Sequence, residues 1–264
     1  GLNSRSLFVL YLLETMQYKY TKEHQDYSDF SSGRVFYSLP GHPAFPVRLA
    51  SEILQRCIAI RKTTYENSTP CVLYDPCCGA AYHLSVLACL HGEYIQEIIA
   101  SDVDENVIAT AKRNLGLLSP AGLDNRIGEI SKMFEQYSKN SHKDALRSAN
   151  ILKNKLFSLP EKHLHRTRVF QANATNSEEI FKHIKAKSVD IVFTDVPYGQ
   201  HSHWHDGESS NPLWAMLNAL LGILSSSSLV SIVSNKQQKA AHESYQRIEQ
   251  FQIGKRRVTI LKPV

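Results

Sequence analysis

Between Val72 and Tyr82 the chain reads Val-Leu-Tyr-Asp-Pro-Cys-Cys-Gly-Ala-Ala-Tyr, and few folds accommodate that order of residues. Val72, Leu73 and Tyr74 make a short buried strand. It stops at Asp75-Pro76, because proline has no amide to continue a sheet ladder. Gly79 allows a tight turn. From Ala80 to Leu90 the apolar positions Leu84, Leu87 and Ala88 then fall at helical spacing. An open α/β sheet builds a ligand site from this sequence of strand, glycine turn and helix, at the carboxyl end of its first strand. A single glycine turn serves equally as a plain connection, so the residues downstream of it decide between the two.

A second apolar run, Ile98-Ile-Ala-Ser101, leads into Asp102-Val103-Asp104, with Asp104 a plausible cap for a helix over 104–117. An acid roughly 20–30 residues beyond the glycine turn, at the end of the second strand, is placed to take the hydroxyls of a ribose. Further strands are expected at 167–172, ending at Asn173, at 189–194 and at 229–234, with helices at 176–185 and 212–224 between them. Strands at about 247–252 and 256–261 close the sheet. The expected fold is a single α/β domain over 1–264: a doubly wound, seven-stranded sheet whose last strand is antiparallel.

With 264 residues, 42% of them hydrophobic, the chain has room for such a sheet plus an insertion. Two segments stand outside the alternation. Residues 1–45 form an extension with a helix over 5–19, a polar stretch from Tyr18 to Gly33 that reads as mobile, and a shaped loop from Tyr37 to Pro46 holding three prolines. The run Leu7 to Leu13 is too short for a membrane span and is closed by Glu14. A helix over 47–63 comes after the loop, and Phe45 and Arg48 are candidates for one wall of a ligand site. The second segment, 118–165, delays the third strand. After a break at Leu118 to Gly122 it reads as helices over 123–138 and 142–157. From Arg126 to Arg168 there are ten Lys or Arg against four Asp or Glu. This excess reads either as a solvated hairpin or as a footprint for RNA phosphates, with Lys132, Lys139 and Arg147 as contacts.

Asp195-Val196-Pro197-Tyr198-Gly199 ends the fourth strand, beside the first, where doubly wound sheets open their crevice. A side-chain oxygen of Asp195 can accept a hydrogen from a base nitrogen. Pro197 can aim the Val196 carbonyl at a second hydrogen, and Tyr198 can stack on the ring. A carboxylate suits guanine, whose N1 and N2 edge offers only donors.

Taken together, Asp75-Pro-Cys-Cys-Gly79, Ala100-Ser-Asp-Val-Asp104, Asn114-Leu115, Leu118-Ser-Pro-Ala-Gly-Leu123 and Thr194-Asp-Val-Pro-Tyr-Gly199 resemble S-adenosylmethionine-dependent methyltransferases with a Rossmann-like sheet. More narrowly they resemble the AviRa group, rRNA guanine methyltransferases associated with resistance to orthosomycin antibiotics. Pro40-Gly41, Ala44 to Ala50, His203-Trp204 and Ile253-Gly254 resemble it too, so the likeness runs from about residue 35 onward. The resemblance implies that Asp75, Cys77, Gly79 and Ala80 cradle the methionine end of S-adenosyl-L-methionine, with Asp102 and the adjoining Val103 at the ribose. Asp195, Pro197 and Tyr198 would act on a guanine of large-subunit rRNA. It also implies that the hairpin serves RNA binding; a monomer is expected, and the cysteine usage fits a reducing cytoplasm. Two positions depart from the usual pattern: Ala81 stands where a second glycine is common, and Asn173 replaces an acid that often meets the adenine amino group. An amide oxygen still accepts that hydrogen, so weaker binding is expected.

Three rival readings are weaker. A nicotinamide dehydrogenase would need G-x-G-x-x-G. A tRNA guanosine-N2 methyltransferase typically carries a separate RNA-binding domain. A decayed binding module fits Ala81 and Asn173 but not an intact Asp102 and Asp195. Five cysteines, two adjacent and none in C-x-x-C, suggest neither disulfides nor a thiolate zinc site. His201-Ser-His-Trp-His205 puts alternate histidines on one face, yet with no cysteine nearby no metal is expected. His203 and Trp204 are read as RNA contacts.

Overall fold

A computed structural model of the chain describes residues 18–41, 43–157, 166–196 and 211–264. Its elements in order are α1 (Val47–Tyr65), β1 (Cys71–Asp75), α2 (Tyr82–His91), β2 (Ile95–Asp102), α3 (Glu105–Gly116), α4 (Pro120–Tyr137) and α5 (Asn140–Phe157). Then come β3 (Arg166–Gln171), α6 (Ser177–Phe181), β4 (Val189–Asp195), α7 (Pro212–Leu220), β5 (Leu224–Asn235), β6 (Tyr245–Ile253) and β7 (Arg256–Pro263). One seven-stranded sheet runs β3-β2-β1-β4-β5-β7-β6. The first five strands are parallel, and β7 lies antiparallel between β5 and β6.

The expected order of strands and helices holds, and the differences sit at element ends. Helix α4 begins at Pro120 rather than after Gly122, because Ser119 caps it by accepting the Gly122 amide and proline at the first helical position gives up no bond. A side chain at 122 would meet the Gly116 carbonyl oxygen at 2.0 Å, so glycine is required where α3 turns into α4. Strand β5 starts at Leu224, and its serine run bulges out of register before the ladder resumes at Leu229. There Ser225 donates to Asp190. Of the expected helix over 5–19, residues 5–17 lie outside the described residues; Tyr18 and Lys19 are not helical.

Parallel strands buried on both faces need apolar residues throughout. One apolar layer lies between the sheet and α1, α2, α3 and the hairpin, centred on Ile53, Leu84, Leu87 and Phe193. The other lies under α6 and α7, around Tyr74, Val192, Met216 and Leu220. Ile130, Ala145, Ala149 and Leu152 bring the α4–α5 hairpin into the first layer, so this insert is part of the core.

The segment 18–22, read from its polarity as mobile, is stitched down. Glu52 of α1 is fully buried and accepts the backbone amides of Lys19, Tyr20 and Thr21, the Thr21 hydroxyl and Arg56 Nε. Arg56 also reaches Glu249 of β6 at 2.7 Å. Burial would raise the Glu52 carboxyl, but the three amides and Arg56 outweigh it and hold the group below its usual range.

Candidate active site

Chain reversal between β1 and β4 opens a crevice at the carboxyl edge of the sheet, and the residues that end β1, β2 and β4 meet there. After β1 the chain turns at once: Cys77 N–H donates to Asp75 Oδ1 at 2.9 Å, Cys78 N–H to the Ser101 carbonyl at 2.9 Å, and Gly79 N–H to Asp102 Oδ2 at 2.9 Å. The turn at the end of β1 is therefore held by the carboxylate at the end of β2. Gly79 sits at φ +52°, and a β-carbon built on it would face open space, so the turn presents bare backbone to the crevice.

Ala81 comes next but one, at φ 52°, ψ 28°, in the left-handed region, as the residue before α2. That is the physical reason a glycine suits this position; alanine holds it at a steric cost. No side chain caps α2, which leaves its first amides directed toward the turn.

Beneath the turn Asp75 is completely buried, and His83 Nε2 stands 3.1 Å from its Oδ2. The imidazole packs against Phe45 and Phe193, with ring centres 5.6 and 5.0 Å away. His83 supports the buried Asp75 under the turn, and no local motif marks it, since a histidine on the apolar face of α2 looks like filler.

Burial first, then the nearby Asp75, Asp102 and Asp195, pushes the Cys77 thiol well above its ordinary value. Burial with Asp75 and Asp102 does the same to Cys78. Neither is a nucleophile near neutral pH. Burial raises Asp102 itself, partly offset by the Gly79 and Asp104 amides it accepts. At β4, Asp195 pairs across to Val233, and Val196 N–H donates to the Val233 carbonyl at 3.0 Å.

Over 95% of the length of a characterised relative and 93% of this chain, 34% of residues are identical; that relative is the 23S rRNA (guanine(2535)-N(1))-methyltransferase of Streptomyces viridochromogenes. The family described as rRNA methyltransferase AviRa matches residues 16–256. The chain belongs to the AviRa family of rRNA methyltransferases. The family match begins ahead of the motifs, taking in the strap at 18–22. Two crystal structures of the family's AviRa rRNA methyltransferase from Streptomyces viridochromogenes, at 2.4 and 1.5 Å, share the fold with TM-scores of 0.81 and 0.82. Each is 34% identical and covers 92% of this chain and 95% of the other.

Three expected ligand contacts are engaged differently in this member. Arg48 does not wall the crevice. Its Nε donates to the Thr21 carbonyl and its NH2 to that of Lys22, both at 2.9 Å, and its guanidinium lies over the Tyr18 ring. Phe45 is buried against His83 and Phe193, so it supports the crevice from below instead of lining it. The Asn173 Oδ1 accepts both the amide and the hydroxyl of Thr175, at 3.0 and 2.9 Å. Both lone pairs are used in shaping its own turn, so it has none for an adenine amino group.

Ala80 and Val103 stay partly exposed at the turn, with their carbonyls accepting Asn114 Nδ2 and Gln171 Nε2. Lys132, Lys139 and Arg147 are exposed on the hairpin. Pro197, Tyr198, His203 and Trp204 lie outside the described residues. Among the described residues no three His, Cys, Asp or Glu converge as a metal site, and no helix is long and apolar enough to cross a membrane.

Proposed function

We propose that this chain methylates N1 of a guanine in 23S rRNA, in the cytoplasm, with S-adenosyl-L-methionine as donor. The observation that carries the reading is the Asp102 carboxylate at the end of β2 holding the Gly79 amide after β1, at the reversal of strand order beside the end of β4. The residues fit that donor. Open space over Gly79 admits a ligand against bare backbone, and the carboxylates of the partly exposed Asp102 and Asp195 favour one bearing sulfonium and ammonium charges. The uncapped start of α2 favours its carboxylate. Cys77, Gly79 and Ala80 would hold the methionine end, with Asp102 and Val103 at the ribose; Asp75, buried beneath the turn, would position it through the Cys77 amide instead of touching the ligand.

When bound, this donor supplies an electrophilic methyl group. Asp195 accepts the hydrogen on guanine N1 and takes the proton as N1 forms its new bond. Pro197 would aim the Val196 carbonyl at the base, and Tyr198 would stack on it. Positioning the two reactants supplies about 7–11 kcal/mol of the barrier. A few kcal/mol go into extruding the base from structured RNA. Lys132, Lys139 and Arg147 lead the hairpin to the RNA.

The test is incubation with labelled S-adenosylmethionine and bacterial RNA, then size separation and nucleoside mass spectrometry. Label recovered as 1-methylguanosine in 23S rRNA is the expected result. Label in tRNA, or on a different guanine nitrogen, overturns it.

A further inference from the structure

A second basic surface lies on the other flank of Asp195 from the hairpin. Residues 235–242 and 250–257 hold five Lys or Arg (Lys236, Lys239, Lys255, Arg256 and Arg257) and no Asp or Glu. That local charge equals the +5 of the whole chain. Sheet register gathers these residues. Asn235, the last residue of β5, pairs with Arg256, and Ser234 with Arg257, so both arginines stand at the carboxyl edge where Asp195 ends β4. Lys236 comes directly after Asn235, and Lys255 occupies the turn before β7.

The surface is built rather than incidental. Asn235 Oδ1 accepts the amides of Gln237 and Gln238 at 2.8 and 2.9 Å, and Arg257 NH1 donates to the Gln238 carbonyl, which pins the loop that bears Lys236 and Lys239. The Arg256 guanidinium lies 5.5 Å from the Phe45 ring centre, and Phe45 in turn packs on His83 under the glycine turn. Arg256 thus joins this edge to the active site. The Nε atoms of Arg256 and Arg257 are buried and unpaired among the described residues. Among those residues none of the five cations forms an ion pair with a carboxylate. On the hairpin, Arg126 and Lys153 are paired with Glu129 and Asp124, while Lys132, Lys139 and Arg147 are likewise in no ion pair among the described residues.

Asp195 aligns with Val233, and Arg256 with Asn235 two residues further along β5. Two strand spacings and two residue steps put their α-carbons about 12 Å apart. A polyanion that delivers a base to Asp195 runs within reach of this edge. We infer that the edge formed by Lys236, Lys239, Lys255 and Arg256 binds the ribose-phosphate backbone of the substrate RNA beside the target guanine. With the hairpin on the opposite flank, it grips the strand on both sides of the extruded base. This inference rests on the RNA substrate proposed above.

The three exposed lysines permit a test that spares the core. Lys236→Glu, Lys239→Glu and Lys255→Glu are combined, and binding to deproteinised 23S rRNA is measured over a range of salt concentrations. The dissociation constant should rise by at least about tenfold, and the slope against log salt should fall by roughly 2, since each lost phosphate contact removes about 0.7–0.9. Unchanged affinity for S-adenosylmethionine by calorimetry verifies the fold. Arg256→Gln should raise KM for RNA more than it lowers kcat, and Arg256→Lys should restore much of the loss. Wild-type affinity and slope in the triple variant, with the wild-type enzyme binding normally, would overturn the proposal. If the wild-type enzyme neither binds nor methylates 23S rRNA, the substrate reading fails first and this surface falls with it.

Discussion

Asn114 grips Tyr37 by both ends of its amide: Oδ1 accepts the Tyr37 N–H at 2.7 Å, and Nδ2 donates to the Tyr37 carbonyl at 3.0 Å. The same Nδ2 reaches the Ala80 carbonyl at 2.9 Å, so one fully buried side chain on α3 ties the loop before α1 to the glycine turn. Tyr37 carries the connection outward. Its ring lies under Arg113 and Arg126, and its hydroxyl donates to Glu129 of the hairpin. Asn114→Ala leaves three backbone groups without partners, which costs about 3 kcal/mol in total. Urea denaturation should show that loss, together with a cofactor affinity weakened by about tenfold. Unchanged stability would remove Asn114 from this role.

Asp195→Ala should slow methyl transfer by about 10²–10⁴, the span of a positioned general base. Calorimetry should find S-adenosylmethionine affinity within about threefold of wild type. Full turnover in single-turnover assays would exclude Asp195 as the proton acceptor.

Asp102→Asn tests the ribose role. A hydroxyl donates to a carboxylate more strongly than to an amide, so affinity for S-adenosylmethionine should fall by more than about tenfold. Burial raises the Asp102 carboxyl above its ordinary value of 3.8. Wild-type affinity should therefore decline as pH falls through a midpoint above that value, while the variant responds less. Titration calorimetry across pH distinguishes the two.

At Ala81 the left-handed backbone sets the tolerance. Glycine relieves about 1–2 kcal/mol of strain but loses a buried methyl and adds chain entropy, so Ala81→Gly should stay within about 1 kcal/mol of wild type. Ala81→Val puts a branched side chain at positive φ and should cost more than about 2 kcal/mol. Equal melting temperatures for the two variants would contradict this.

Glu52 gives the strap an acid limit. Its native pKa lies below the ordinary value of 4.5, so its contribution is complete above about that pH and is lost as pH falls through the lower native value. Glu52→Gln should cost about 2 kcal/mol at neutral pH. The gap to wild type should close on acidification, which thermal melts from pH 7 to pH 3 will track.

The sheet and its crevice were legible because they rest on local signals: apolar runs, the Pro76 stop, and acids at strand ends. Gly79, Asp102 and Asp195 carry such signals at the ends of β1, β2 and β4. Other roles depend on partners far along the chain. Asn114 to Tyr37 spans 77 residues, and the Glu52 contacts span about 32. A histidine under a turn, an arginine facing a strap and an asparagine folded on its own loop look alike in sequence. His83, Arg48 and Asn173 are told apart only by what stands opposite them. The basic edge at β5 and β7 escaped notice for a related reason: its cations come from two segments that only antiparallel pairing brings together.

Glu249 joins the early and late parts of the chain, pairing with both Lys19 and Arg56. The partners are separated by 230 and 193 residues. At synthesis rates of about 5–20 residues per second, α1 leaves the ribosome roughly 10–40 s before the carboxylate that Arg56 awaits. Until then Arg56 lacks one of its two acids, and the outer strand that will cover it does not exist. The Arg56 side of helix α1 is thus made early but completed only when β6 docks.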